Sequence, residues 1–140
     1  MKQIEPALEK VAVVSLPSVE DPRGVLTAVE GLRDIPFEIK RIFYMHHIQS
    51  DRGGHAHRDT DQIVIAVAGS FVLELFDGKH YKQFDMDDPT KGVYIPRMIF
   101  INMFKFMPGS VCLVLANSYY DMRRSFRTKE AYLDFIQRSF

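Results

Sequence analysis

Several features that would assign a function quickly are missing from this chain. It has one cysteine, Cys112, in 140 residues, so no internal disulfide can form. Cys112 stands in Val111-Cys-Leu-Val-Leu-Ala116 and reads as a small core hydrophobe. It is not a nucleophile, because no neighbouring group would depress its pKa. Charge of one sign is missing too: 18 basic side chains balance 18 acidic ones. That gives no support for a nucleic-acid or acidic-membrane partner, and it permits self-association. No apolar run is long enough to span a bilayer, and Glu5 and Glu9 interrupt any signal-peptide layout, so a cytoplasmic protein is expected. A G-x-S-x-G turn is absent, as is a glycine-rich phosphate loop at a helix start. There is no internal repeat, linker or low-complexity stretch.

Hydrophobic residues make up 46% of the chain, enough for one domain with a real core over residues 1–140. Val11–Leu16 and Val25–Glu30 read as strands, separated by the turn Asp21-Pro22-Arg23-Gly24. Phe37–His46 reads as a third strand. Its alternation puts Arg41, Phe43 and Met45 on one face and Ile42, Tyr44 and His46 on the other. Both faces mix polar and apolar side chains, as a strand lining a polar cavity does. Gln62–Ala68 is β-branched and bounded by Gly69, and Ser70–Phe76 leads into the hairpin signal Asp77-Gly78. Lys79–Phe84 is the returning arm, and Val93–Pro96, Arg97–Phe106 and Ser110–Ala116 complete the strands. Thr128–Gln137 is the one clear helix, with Thr128 as N-cap. Many short strands joined by hairpins, with one terminal helix, argue an all-β fold, a β-sandwich or jelly roll.

The stretch Arg52-Gly-Gly-His-Ala-His57 organises the rest. His55 and His57 lie two apart, so on a strand both rings share a face. The two glycines let the backbone turn tightly before them. A metal site needs more ligands than this. The next well-placed side chain, Gln62, is a poor ligand, Asp61 points to the opposite face, and Pro96–Phe106 contains no histidine. Acid–base chemistry needs less. One imidazole can take a proton α to a carbonyl while a second handles the oxygen proton. Tyr44 and Tyr94 offer phenolic donors. Arg23, Arg41, Arg52, Arg58 and Arg97 offer cations for an anionic substrate. His46 and His47, adjacent on a strand, are expected to face opposite ways. His80 is expected at the surface, and Tyr119–Arg124 is expected to seal the barrel mouth.

Asp21-Pro-Arg-Gly24, Ile35–Tyr44, Arg52–His57, Asp61 to Gly69 and Val114–Asp121 occur in this order in one family. The chain resembles the sugar 3,4-ketoisomerases of the cupin superfamily from about Val11 to Ile136. The resemblance implies a cofactor-free and metal-free cupin-type jelly roll with a short C-terminal helix. It also implies a homodimer with exchanged N-terminal strands. The substrate would be a dTDP-linked 4-keto-6-deoxyhexose, made into dideoxy aminosugars for surface polysaccharides such as lipopolysaccharide O-antigen. His55 and His57 match the catalytic pair, and the keto group would move from C4 to C3 through an enediol. Arg52 would contact the diphosphate. Arg41 and Tyr44 would line the pocket, and Arg23, Gln62 and Arg97 complete the substrate-binding set. Two positions are tied in the family to stereochemistry at C4. Arg23 resembles the galacto-forming enzymes. The other falls on Phe100, where relatives carry histidine or arginine, so both C4 configurations stay open. A non-catalytic sugar-nucleotide sensor and a related sugar-nucleotide epimerase are the alternatives.

Overall fold

The computed structural model describes residues 5–140. After a single 3-10 turn, Leu8–Lys10, the chain forms β1 (Ala12–Ser15), β2 (Ser18–Asp21), β3 (Gly24–Thr27), β4 (Arg41–Met45), β5 (Arg52–His57) and β6 (Gln62–Ala68). Then come β7 (Phe71–Phe76), β8 (Tyr81–Met86), β9 (Lys91–Ile95), β10 (Phe100–Phe104), β11 (Val111–Ala116), β12 (Ser125–Phe126) and the helix α1 (Lys129–Ser139). Two five-stranded sheets face each other, in the orders β1-β9-β6-β11-β4 and β12-β5-β10-β7-β8, while β2 and β3 form a separate hairpin. Every strand pairing is antiparallel. This is the expected all-β jelly roll with a C-terminal helix.

The packing explains the sequence pattern. Val64 and Ala66 of β6 point between the sheets, toward Leu73, Leu75, Ile99, Ile101 and Val114. Ile63 and Ile65 point the other way and are covered by Ile35 and Phe37. With both faces covered, β6 reads as a continuous apolar run instead of an alternating one. That covering segment also corrects the expected strand over 37–46. Only Arg41–Met45 is strand, because Phe37 and Ile39 are spent on the outer face of the first sheet.

The hairpin signals hold. Asp21 pairs with Gly24 across the first turn, and Phe76 pairs with Tyr81 across Asp77-Gly78. Helix α1 begins at the expected cap, where Thr128 Oγ1 accepts from the Ala131 N–H at 3.1 Å. It packs on the outer face of the second sheet through Tyr132, which is fully buried against Ala56, Phe76 and Phe100. Cys112 is buried as expected, and burial pushes its thiol pKa up to about 12. Among the described residues no helix is long and apolar enough to cross a membrane.

Candidate active site

The site is built by a distortion of β5. Against β10, Ile101 pairs with His55 but Asn102 pairs with Gly53, so Gly54 is an extra residue, a bulge. Gly53 and Gly54 both have left-handed φ, +93° and +74°. A Cβ on Gly53 would stand 2.6 Å from the Ile101 carbonyl oxygen. Only glycine permits that approach and that backbone together. The bulge delivers His55 and His57 to the same face, their ring centroids 4.8 Å apart and nearly edge-to-face. Between them Ala56 points outward and is buried under Tyr132.

Both rings border a cavity of about 620 Å³ whose wall also carries Arg41, Arg52, Arg127, Phe43, Tyr120 and Ser125. Among the described residues, every fixed charge on this wall is an arginine. A smaller lobe of about 270 Å³ continues past His55 and Arg52 toward Gln62, Ile101 and Met103. The main cavity is thus cationic, while the smaller lobe is mostly apolar and carries one carboxylate, Asp51.

Burial lowers the pKa of both histidines. For His57 the nearby His55 and Arg41 add to the effect, and its pKa falls to about 4. For His55, Arg127 and Arg52 lower the pKa further, while the Gly53 carbonyl opposes them. At neutral pH both rings are therefore uncharged and able to accept a proton. His57 Nδ1 lies 3.0 Å from Ser125 Oγ, and its Nε2 is buried with no hydrogen-bond partner among the described residues. Arg41 lies between the rings of Phe43 and Tyr120, its guanidinium carbon 5.3 and 5.4 Å from their centroids. Its Nε is also buried and unpaired among the described residues, and desolvation lowers its pKa. A desolvated guanidinium without a carboxylate partner fits an anionic ligand.

A model of the FdtA family, described as WxcM-like, C-terminal, matches residues 9–137. The chain belongs to this family. It is 34% identical over 111 residues to the TDP-4-oxo-6-deoxy-alpha-D-glucose-3,4-oxoisomerase of Aneurinibacillus thermoaerophilus, covering 78% of this chain and 80% of that one. The crystal structure of QdtA, a sugar 3,4-ketoisomerase from Thermoanaerobacterium thermosaccharolyticum in complex with TDP, superposes with a TM-score of 0.90 at 35% identity. That match covers 96% of this chain and 99% of QdtA. The WlaRB TDP-quinovose 3,4-ketoisomerase from Campylobacter jejuni matches with a TM-score of 0.85 at 33% identity, over 91% and 99% of the two chains. The ketoisomerase family suggested by the ordered motifs is the one found.

Within this ketoisomerase fold the expected site residues divide. His55, His57, Arg41 and Arg52 meet at the main cavity, and Gln62 reaches the inner lobe. Tyr44 does not line the cavity and is 62% exposed. Strand alternation separates it from Arg41. Arg97 is turned away from the cavity. Asp61 accepts from its backbone N–H at 2.8 Å, from Nε at 3.1 Å and from Nη2 at 3.2 Å. Arg23 sits at the tip of the β2–β3 hairpin, paired with Asp21, its side chain 91% exposed. Tyr94 packs on Phe37 across the outer face of the first sheet. Arg58 is held between Phe126 and Phe135, 5.6 and 4.8 Å from their centroids.

Phe100 also departs from expectation. Its register partner is Ala56, not a histidine, and its ring packs 5.4 Å from Tyr132, under the helix. It faces away from the cavity, where Ile101 and Met103 are the β10 side chains on the wall. His46 and His47 do not point apart. His47 has a left-handed φ of +51°, which ends the alternation and brings the two Nδ1 atoms to 2.6 Å. The tail seals part of the mouth, as expected, through Tyr120 and Met122.

Sequence reasoning missed Ser125 and Arg127. Ser125 opens the two-residue strand β12 and Arg127 follows it, and the pairing of β12 with β5 sets Ser125 opposite His57. Neither carries a local signal.

Proposed function

We propose that this chain is a 3,4-ketoisomerase acting on a TDP-linked 4-keto-6-deoxyhexose in deoxysugar biosynthesis, without a metal. The observation that carries the reading is the pair of neutral, buried imidazoles on one strand face, in a cavity whose fixed charges are arginines. Isomerisation moves two protons and no electrons to a cofactor. His55 takes the C3 proton while O4 is protonated, giving the 3,4-enediol. The O3 proton then leaves as C4 is reprotonated, giving the 3-ketone. His57 serves the oxygens. A neutral imidazole of depressed pKa is suited to this role, as the neutral histidine of triosephosphate isomerase illustrates for another enediol reaction. Arg52 and Arg41 hold the diphosphate, and the cationic wall steadies charge developing on the enediol oxygens.

The active form is a homodimer in the cytoplasm, exchanging N-terminal strands. Val19, Val25 and Leu26 of the β2–β3 hairpin are 64%, 56% and 66% exposed in the single chain. An exposed apolar hairpin of this kind fits coverage by a second copy. Exchange of this hairpin is also what would bring Arg23 to a cavity.

A non-catalytic sensor would be favoured by an apolar Phe100 in the site, in place of a proton-transferring group. With that side chain under the helix, nothing favours a sensor. Incubating the protein with chelator and TDP-4-keto-6-deoxyglucose should yield the 3-keto sugar by proton NMR. Substrate that binds and stays unconverted would return the chain to the sensor class.

A further inference from the structure

The short strand β12 looks too small to matter for stability, yet it crosses the edge of β5 opposite the catalytic pair. Its register puts Ser125 against His57 and Phe126 against Ala56. Phe126 anchors it by packing on Tyr132 and Phe135 at 5.9 and 5.0 Å between centroids. Arg58 reinforces the crossing, its N–H donating to the Arg124 carbonyl at 2.9 Å. The strand is thus fixed from outside the barrel, and its one side chain on the cavity wall is Ser125. The hydroxyl has one hydrogen-bond partner among the described residues, His57 Nδ1 at 3.0 Å. A serine hydroxyl donates one proton and accepts others. Nδ1 is the acceptor in reach of that proton. If Nδ1 itself carried a proton, the Ser125 O–H would be left without a protein partner.

We infer that Ser125 is a positioning residue, which donates to His57 Nδ1 and so holds the ring in the tautomer whose Nε2–H faces the cavity. The role of that Nε2–H at the substrate oxygens rests on the ketoisomerase reading; the tautomer itself does not. The arrangement accounts for the buried, unpaired Nε2, because a substrate oxygen is its missing partner. It also divides labour between two like residues. His57, held by a hydroxyl, presents N–H to the oxygens, while His55 is left as the base at carbon. Donation to Nδ1 stabilises the neutral ring and opposes its protonation.

The test begins with the substrate-free enzyme. Long-range proton–nitrogen NMR of the histidine side chains, with His57→Asn for assignment, should show His57 protonated at Nε2 and not at Nδ1. In Ser125→Ala the preference should weaken, and Ser125→Thr should restore it. In the kinetic arm, Ser125→Ala should lower kcat by about 10- to 100-fold, part of the rate that a correctly positioned acid–base group supplies. KM should change less than about threefold, since the Nε2–H contact strengthens as charge develops on the substrate oxygen. The acidic limb of kcat/KM should move to higher pH, and Ser125→Thr should recover rate and limb together. A His57 protonated at Nδ1 in the wild type would overturn the inference. So would a Ser125→Ala variant with unchanged tautomer, kcat and pH profile. If the wild type does not turn the sugar over, the functional reading fails while the NMR arm still decides the tautomer.

Discussion

His57 should make the stability of this protein depend on pH in a defined window. Its pKa in the folded chain is about 4, against an ordinary histidine value of about 6.5 in the unfolded chain. Between those values the unfolded chain takes up a proton that the folded chain refuses. Stability therefore rises with pH across the window, is fully present above about 6.5, and is lost as pH falls toward 4. The gap of about 2.5 units corresponds to about 3 kcal/mol, a large part of a small domain's total stability. Urea unfolding at several pH values from 7.5 to 4.5 would measure it in the wild type and in His57→Asn, which keeps a polar side chain but cannot titrate. Carboxylates titrate in both proteins, so the difference between the two curves isolates the histidine. The wild type should lose most of that 3 kcal/mol relative to the variant by pH 4.5. Parallel curves would refute the account of His57 as a buried, neutral ring.

Four further outcomes follow from the same structure. Asp61→Ala should cost about 2–4 kcal/mol by denaturant midpoint, because Asp61 also accepts from Asn117 Nδ2 at 2.9 Å and so ties three chain segments together. Gly53→Ala should cost about 1–3 kcal/mol for the left-handed backbone alone, and its activity should fall by more than stability loss explains, since the bulge aims His55. Phe100→His should destabilise the protein by about 2–3 kcal/mol and leave the C4 configuration of the product unchanged, as read by proton NMR coupling constants. Val25→Glu with Leu26→Glu should shift the protein from dimer to monomer by light scattering; a dimer that persists would remove the proposed strand exchange.

The architecture was legible wherever a single local rule governed. The turns Asp21–Gly24 and Asp77-Gly78 are dictated by residues within them, and Thr128 caps its own helix. The run Gln62–Ala68 is a strand to the residue. His55 and His57 were legible as a pair because period-two geometry needs no knowledge of the rest of the fold. The same rule separated Arg41 from Tyr44, and the structure obeys it. What local rules could not show is which face of a strand becomes cavity and which becomes the floor of a helix. Phe100 was misplaced for that reason: the bulge at Gly54 and the docking of Tyr132 decide its direction. The left-handed His47 broke the alternation that would have parted it from His46. Arg97 was indistinguishable from a substrate-binding cation until Asp61 was brought against it from 36 positions away. Ser125 reaches His57 across 68 residues through a strand of two, a pairing that leaves no periodic trace.

The central claim is that His55 removes the C3 proton with His57 serving the oxygens. The most direct measurement follows that proton by NMR, with TDP-4-keto-6-deoxyglucose in D₂O and chelator present, for the wild type and for His55→Asn. The account predicts that the wild type loses the C3 proton signal and forms the 3-keto sugar with deuterium at C4. His55→Asn should bind TDP within a few-fold of the wild type and leave the C3 proton in place. Retention of that proton by the wild type in the bound complex, or its removal at the wild-type rate by His55→Asn, would contradict the account.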